Sequence, residues 1–274
     1  MAAPDYARSV SAHYSPRAIG DAILDALRAA GKNVDALTPD DLAPYDQLHA
    51  DRKEATVRLA RLAELGPGQH VLDLGSGLGG PARTIAAEFG CQVTGLDLTE
   101  AFCRLAEMLT ARTGQSGQVT FHQGNALEMP FGAASFDVVW MHNSGMNILD
   151  KERLYAAVHR VLRPGGRLAL SEIMAGPIEP PHFPVPWARE PATSFLHPAM
   201  AMRALIADSG FREIAWIDLT PRLIAWTQQQ RAAAVAGTAT FSLGGAELAQ
   251  AQQNLARNLA EGRVVGIEAV FERH

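Results

Sequence analysis

One stretch constrains this chain before any other: Val71-Leu72-Asp73-Leu74-Gly75-Ser76-Gly77-Leu78-Gly79-Gly80-Pro81. Val71, Leu72 and Leu74 form the short apolar run of a buried parallel strand, and the glycines follow where a strand must turn sharply into a helix. A backbone without Cβ atoms takes positive φ there and lets a ligand approach its N–H groups. Pro81 falls in the first turn of the next helix, predicted over about 81–88, where its missing N–H costs nothing. Two spacings are satisfied together. Gly75, Gly77 and Gly80 fit G-x-G-x-x-G, and Asp73 with Gly75, Gly77 and Gly79 fits D-x-G-x-G-x-G. The loop alone therefore points to a polar ligand without naming it.

From His70 onward, strand and helix signals alternate, as in a parallel sheet with helices on both faces. A second strand over 92–97 ends in Asp97, and Thr99 is expected to cap a helix burying Phe102, Leu105, Ala106 and Leu109. Further strands are predicted over 119–122, 136–141 and 167–173. Between the last two, Asp150 caps a helix with Leu154, Val158 and Val161 on one stripe, ended by Arg163-Pro164-Gly165-Gly166. The alternation then breaks. Residues 177–198 are proline-rich yet carry His182, Phe183, Trp187 and Phe195, rings that need something to cover. A helix over 197–209 and a strand over 211–219 resume the pattern, two helices fill 221–262, and a strand over 263–272 closes it.

Ahead of the first strand lie about 70 residues of helical signal, expected to pack on the sheet or form a lid. Residues 1–14 have no periodic pattern and are expected to start disordered. Ser15-Pro16 and Thr38-Pro39-Asp40-Asp41 each read as a helix start, Tyr45 to His49 as a connection, and Lys53 to Leu65 as a helix stopped by Gly66-Pro67-Gly68. The expected fold is α/β, a Rossmann-like doubly wound seven-stranded sheet with its last strand antiparallel. Its division is a helical N-terminal cap over 1–65, then a main domain over 66–274 with cap insertions at about 174–198 and 220–262.

A net charge of −5 and no block of arginines disfavour a nucleic-acid partner. No apolar stretch reaches the length of a membrane span, and Met1 to Ser11 lacks a signal-peptide pattern, so a cytoplasmic location is expected. Cys91 and Cys103 read as buried reduced thiols, and a metal site would have too few soft ligands.

The ordered set of Val71 to Pro81, Val93 to Asp97, Gly124-Asn125-Ala126 with Met129-Pro130-Phe131, Phe136 to Val139, and Arg160 to Gly166 resembles the motifs of class I S-adenosylmethionine-dependent methyltransferases over roughly 65–220. A nicotinamide dehydrogenase would share the first two motifs and has no reason to carry the rest. The resemblance implies S-adenosyl-L-methionine as cofactor. It places Gly75, Gly77 and Gly79 along the cofactor's amino-acid end, Asp73 near its ammonium, Asp97 on both ribose hydroxyls, Asn125 and Ala126 at the adenine edge, and Leu98 and Met129 on the adenine faces or in the core. Many relatives have Asp where this chain has Asn125, whose carbonyl oxygen can still accept from the adenine amino group.

Methyl transfer from a sulfonium is an in-line displacement, and a base is needed only when the acceptor must lose a proton. Candidates lie just beyond the fourth strand, where open α/β sheets bind ligands. His142 is the leading base or orienter and also a cofactor contact, with Asn143 and Asn147 as hydrogen-bonding groups. His49 and Tyr45 from the N-terminal segment, and His182 with Trp187 from the proline-rich stretch, are placed to close over the acceptor, and Met146 to line an apolar pocket. His122 and His159 read as structural. Similarity to sarcosine and dimethylglycine N-methyltransferases and to natural-product tailoring enzymes implies a small, partly apolar acceptor, leaning to nitrogen. Oxygen or carbon acceptors, a non-catalytic cofactor-binding subunit, and homo-oligomerisation stay open.

Overall fold

The computed structural model describes residues 16–236 and 245–274. The disordered start expected over 1–14 and the Ser15 cap lie outside the described residues. A seven-stranded sheet runs in the order β3-β2-β1-β4-β5-β7-β6. Its strands are β1 (His70–Leu74), β2 (Gln92–Asp97), β3 (Val119–Gln123), β4 (Phe136–His142), β5 (Leu162–Ala175), β6 (Phe211–Asp218) and β7 (Val264–Arg273). The first five pair in parallel, and β7 runs antiparallel between β5 and β6. Strand order reverses between β1 and β4, which opens a crevice at their carboxyl ends.

Side chains alternate across the sheet, so each strand feeds two cores. Leu72, Leu74, Val139, Met141, Leu168 and Leu170 face one cluster, covered by α6 (Lys151–Val161) and α7 (Ala199–Asp208). Val71, Val138, Trp140 and Ala169 face the other, with Leu59, Ala82 and Ile85 from α3 (Arg52–Leu62) and α4 (Gly80–Phe89). A third cluster joins α1 (Pro16–Ala29) and α2 (Pro39–Asp46) to α5 (Glu100–Arg112) through Ile23, Leu27, Leu42, Leu105 and Leu109. A fourth ties the proline-rich segment and α8 (Thr220–Val235) and α9 (Gly245–Ala260) to Met146, Ile173 and Val264. Among the described residues no helix is long and apolar enough to cross a membrane. Cys91 and Cys103 are free and buried.

Four local expectations need correction. The helix after Arg52 ends at Leu62, because Glu64 takes a left-handed φ of 51° and the Leu65 amide bonds back to the Ala60 carbonyl, so Gly66-Pro67-Gly68 follows a stop already made. Tyr45 lies inside α2 rather than in a connection. Thr99 occupies the N-cap position without a capping bond; its own amide is held by Asp97. Strand β5 starts at Leu162, which pairs with Phe136 across an irregularity in register, so the Pro164-Gly165-Gly166 turn interrupts pairing without delaying it.

Candidate active site

The glycine loop leaves β1 with its Gly75 amide on the Leu96 carbonyl, at 2.8 Å. Gly75 has φ +76°, and a Cβ there would lie 2.5 Å from the Ser144 Cβ, so only glycine lets the turn after β4 close on the loop. Beside Gly77 no atom lies within 4 Å of a built Cβ, which leaves its face open to a ligand. The space a side chain would take at Gly79 is filled by Phe121 and Arg83, and at Gly80 by Asp46. The first two glycines thus shape the crevice, and the later pair lets the cap and sheet pack onto α4.

Asp97 closes the loop from the next strand. One carboxylate oxygen accepts the Gly77 amide at 2.9 Å and the other the Thr99 amide at 2.8 Å. Burial pushes its carboxyl above the usual range, opposed by those amides. Each oxygen keeps a further lone pair for a hydroxyl. Asp73 is buried deeper, and its Oδ2 has no partner. Burial, and secondarily the Asp97 charge, push it up to about 7. The Ser76 and Ser144 hydroxyls are buried and unpartnered too. An acceptor-rich crevice with an open glycine face fits a molecule that brings an ammonium and hydroxyl donors, and S-adenosylmethionine has both. Asn125 is exposed and spends its Oδ1 on the Leu127 amide at 2.9 Å, starting the short 3-10 turn Ala126–Glu128. Leu98 and Ala126 are half-buried, whereas Met129 is buried in the core and belongs to it.

Two of the predicted histidines meet. The rings of His49 and His142 stack with centroids 3.5 Å apart and planes 20° from parallel. The His49 ring lies 3.0 Å from Gln47 Oε1 through Nε2 and 3.2 Å from the Ala50 carbonyl through Nδ1, and Gln47 is itself held by Thr56 and Thr84. Burial drives His49 down to about 4 and His142 well below its ordinary value. His142 Nδ1 is shut off from solvent without a partner, as is the nearby Trp140 Nε1. Two neutral imidazoles in this setting orient hydrogen-bonding groups and are weak bases.

Other candidates are placed differently. Asn143 sits in the left-handed region, φ 54°, with its amide on the Ser171 carbonyl. The Asn147 Nδ2 donates to the carbonyls of Trp187 and Thr193, both at 2.8 Å, and so secures the proline-rich segment. The Trp187 indole donates to Ser194 and packs beside Met146 in the fourth cluster. His182 pairs with Glu261 at 2.9 Å, and its amide and carbonyl are both held by Asn258, so it locks the segment to α9. Tyr45 packs with the third cluster, on the N-terminal side. In these four, a polar group or ring is engaged by a neighbouring segment.

Sequence reasoning missed the buried charges. Glu172 and Lys151 flank the turn after β4; Asp46 and Arg83 join cap to α4; Glu268 on β7 holds Arg58 of α3 through both carboxylate oxygens at 3.0–3.2 Å. The available signal was a lone acid inside an apolar strand, Glu172 in LALSEIM and Glu268 in VVGIEAVF.

Residues 72–170 match a family model described as a methyltransferase domain. The O-methyltransferase resE of Aspergillus sclerotiorum is 33% identical over 172 residues, 61% of this chain and 62% of that protein. A botryococcene C-methyltransferase of Botryococcus braunii is 40% identical over 115 residues, 42% of this chain and 30% of that protein. Phosphoethanolamine N-methyltransferase 2 of Haemonchus contortus, solved in complex with S-adenosyl-L-methionine, superposes with a TM-score of 0.72 at 22% identity, covering 86% of this chain and 57% of that one. The chain spans less than two thirds of the length of each. Sheet order, glycine loop and matched region agree: residues 72–170 match a methyltransferase domain, set in the fold of solved S-adenosylmethionine-binding methyltransferases.

Proposed function

We propose that this protein transfers a methyl group from S-adenosylmethionine to a small, partly apolar molecule, with nitrogen as the acceptor atom. The observation that carries the reading is the crevice between β1 and β4, where Asp73 Oδ2 is buried without a partner and Ser144 stands against Gly75, beside an open Gly77. When bound, S-adenosylmethionine supplies an electrophilic methyl group on a sulfonium. Asp73 would hold its ammonium, Asp97 its ribose hydroxyls, and Leu98, Asn125 and Ala126 its adenine. His142, Asn143 and His49 would face the acceptor.

The lean to nitrogen is supported by the histidines. Burial weakens both as bases, and a neutral amine attacks a sulfonium methyl before it loses any proton. A phenol, an acidic C–H compound or an ammonium asks for proton removal first, so the reading needs an amine that arrives neutral. The named relatives act on oxygen, carbon and nitrogen, so the acceptor panel has to span all three.

The test is incubation with methyl-labelled cofactor and amines, phenols and acidic C–H compounds. Label in an amine product is the expected result. Label only in phenols or carbon acids would replace nitrogen, and cofactor binding without turnover on any class would favour a non-catalytic binding subunit. Asp97→Ala should weaken S-adenosylhomocysteine binding by about 1–3 kcal/mol in calorimetry, and unchanged affinity would remove the ribose assignment.

A further inference from the structure

The turn after β4, residues 143–148, is where the two halves of the site meet. Its Ser144 Cβ stands where a Gly75 side chain would, its Asn147 holds the proline-rich segment, and its Met146 carbonyl accepts the Phe195 amide at 2.8 Å. So short a turn has few internal bonds to fix it. Two buried charges do so from below. Glu172 Oε1 accepts the amides of Ser144 at 3.1 Å and Gly145 at 2.9 Å, while Lys151 Nζ donates to the carbonyls of Gly145, at 2.6 Å, and Ile148. A Cβ on Gly145 would lie 3.3 Å from the Glu172 carboxyl, so the grip is tight. The other Glu172 oxygen, Oε2, is buried without a partner, while Lys151 Nζ is held by the two carbonyls.

We propose that Glu172 and Lys151 are the positioning residues of this site, fixing the peptides of residues 144–148 and thereby the spacing between the cofactor loop and the acceptor-side segment. The proposal rests on the methyltransferase reading for its purpose, though not for its geometry. Burial moves each group toward neutrality, Glu172 up to about 7 and Lys151 down to about 8, and the opposite charge of the other opposes that shift. Tyr155 on α6 also faces Glu172 and is kept neutral by burial, and His197 beside Lys151 is lowered by burial and by that charge. The grip is therefore strongest while both are charged, and it weakens as pH falls through the Glu172 value or rises through that of Lys151.

Amide hydrogen exchange of Ser144 and Gly145 in the free protein tests the geometry, and calorimetry with S-adenosylhomocysteine from pH 5.5 to 9 tests its consequence. In Glu172→Ala both amides should exchange at least about ten-fold faster and affinity should fall about ten-fold. Glu172→Gln keeps an acceptor oxygen, so it should hold both amides and stay within about three-fold of wild-type affinity at pH 7.5. Because Asp73 titrates in the same range, the decisive reading is the difference between profiles: Glu172→Gln should lose part of the acid limb that wild type shows. Wild-type exchange in Glu172→Ala, or a Glu172→Gln profile that superposes on wild type, overturns the proposal. Equal damage from Gln and Ala also overturns it, since the charge would then act on the ligand directly. Should the Ala variant fail to fold, the Gln profile and exchange decide. If wild type binds no S-adenosylhomocysteine, the proposed function falls while the exchange result still judges the grip.

Discussion

The cofactor side and the caps are held by different physics. Around β1 and β2 the ligand-facing groups are set by backbone: positive φ at Gly75 and Gly77, loop amides on the Leu96 carbonyl, and one carboxylate, Asp97, spanning the loop. In the caps they are set by side chains reaching between segments far apart in sequence, such as Arg83 to Asp46, Arg58 to Glu268 and His182 to Glu261. Backbone geometry leaves a local signature that spacing reveals. Cross-segment pairing leaves none until the chain is folded, which is why a shared cofactor site can carry caps suited to different acceptors.

The sharpest way to break this contrast is at Asp46. Its carboxylate accepts Arg83 at 2.7 Å with both side chains almost fully buried, and Arg83 also reaches Leu78, Ala106 and Thr110. Burial raises the Asp46 carboxyl and the Arg83 charge opposes that rise. Asp46→Ala strands a buried guanidinium and should cost about 3–5 kcal/mol in urea unfolding. A loss under about 1 kcal/mol would mean that α2 is a loosely seated lid, and the cap would have to be regarded as an accessory to the sheet.

Acid offers a smaller, reversible break at His49. Its folded value near 4 lies below the ordinary 6.5, so between those pH values the unfolded chain binds more protons than the folded one. The resulting stability is fully present above about pH 6.5 and is lost as pH falls toward 4. Over the shift from 6.5 to about 4 this amounts to ~3 kcal/mol. Asp73 and Glu172, raised by burial, contribute with the opposite sign, so the comparison is made within a pair of proteins. His49→Phe keeps a ring on His142 without the titration. Between pH 7 and pH 5 wild type should lose ~2 kcal/mol more than His49→Phe, and equal losses would show that the stack opens without cost.

What was legible in the sequence follows the same line. The run Val71 to Leu74, the turn glycines, Asp97 at a strand end and the Asp150 cap declare themselves because each acts within a few residues. His49 and His142 were both singled out, but only the folded chain shows them stacked on one another. Asn147, His182 and Trp187 carried the right chemistry for a ligand and spend it on neighbouring segments. Glu172 and Lys151 were passed over because in sequence they read as an interruption in a strand and an ordinary first-turn lysine. Met129 shows the converse limit, an apolar residue near a motif that the core claims.

The least effect is expected at Arg222, and it sharpens the comparison most finely. Arg222 on α8 pairs with Asp51, which also takes Arg58 at 3.3 Å, so the chain from Glu268 through Arg58 and Asp51 ends at the second cap. Its inner end is buried at Glu268, whereas half of the Arg222 side chain is exposed. Solvent and side-chain entropy leave an exposed pair worth about 0–1 kcal/mol, and salt screens what remains. Arg222→Ala should therefore lower unfolding stability by less than about 1 kcal/mol at low salt, with the difference vanishing near 1 M salt. Amide exchange in α8 should nonetheless quicken, because α8 has no fully buried residue to anchor it and relies on half-buried contacts such as Leu223 and Ile224. A loss above about 2 kcal/mol that salt does not relieve would place Arg222 with Arg83, among the charges that hold a cap from inside.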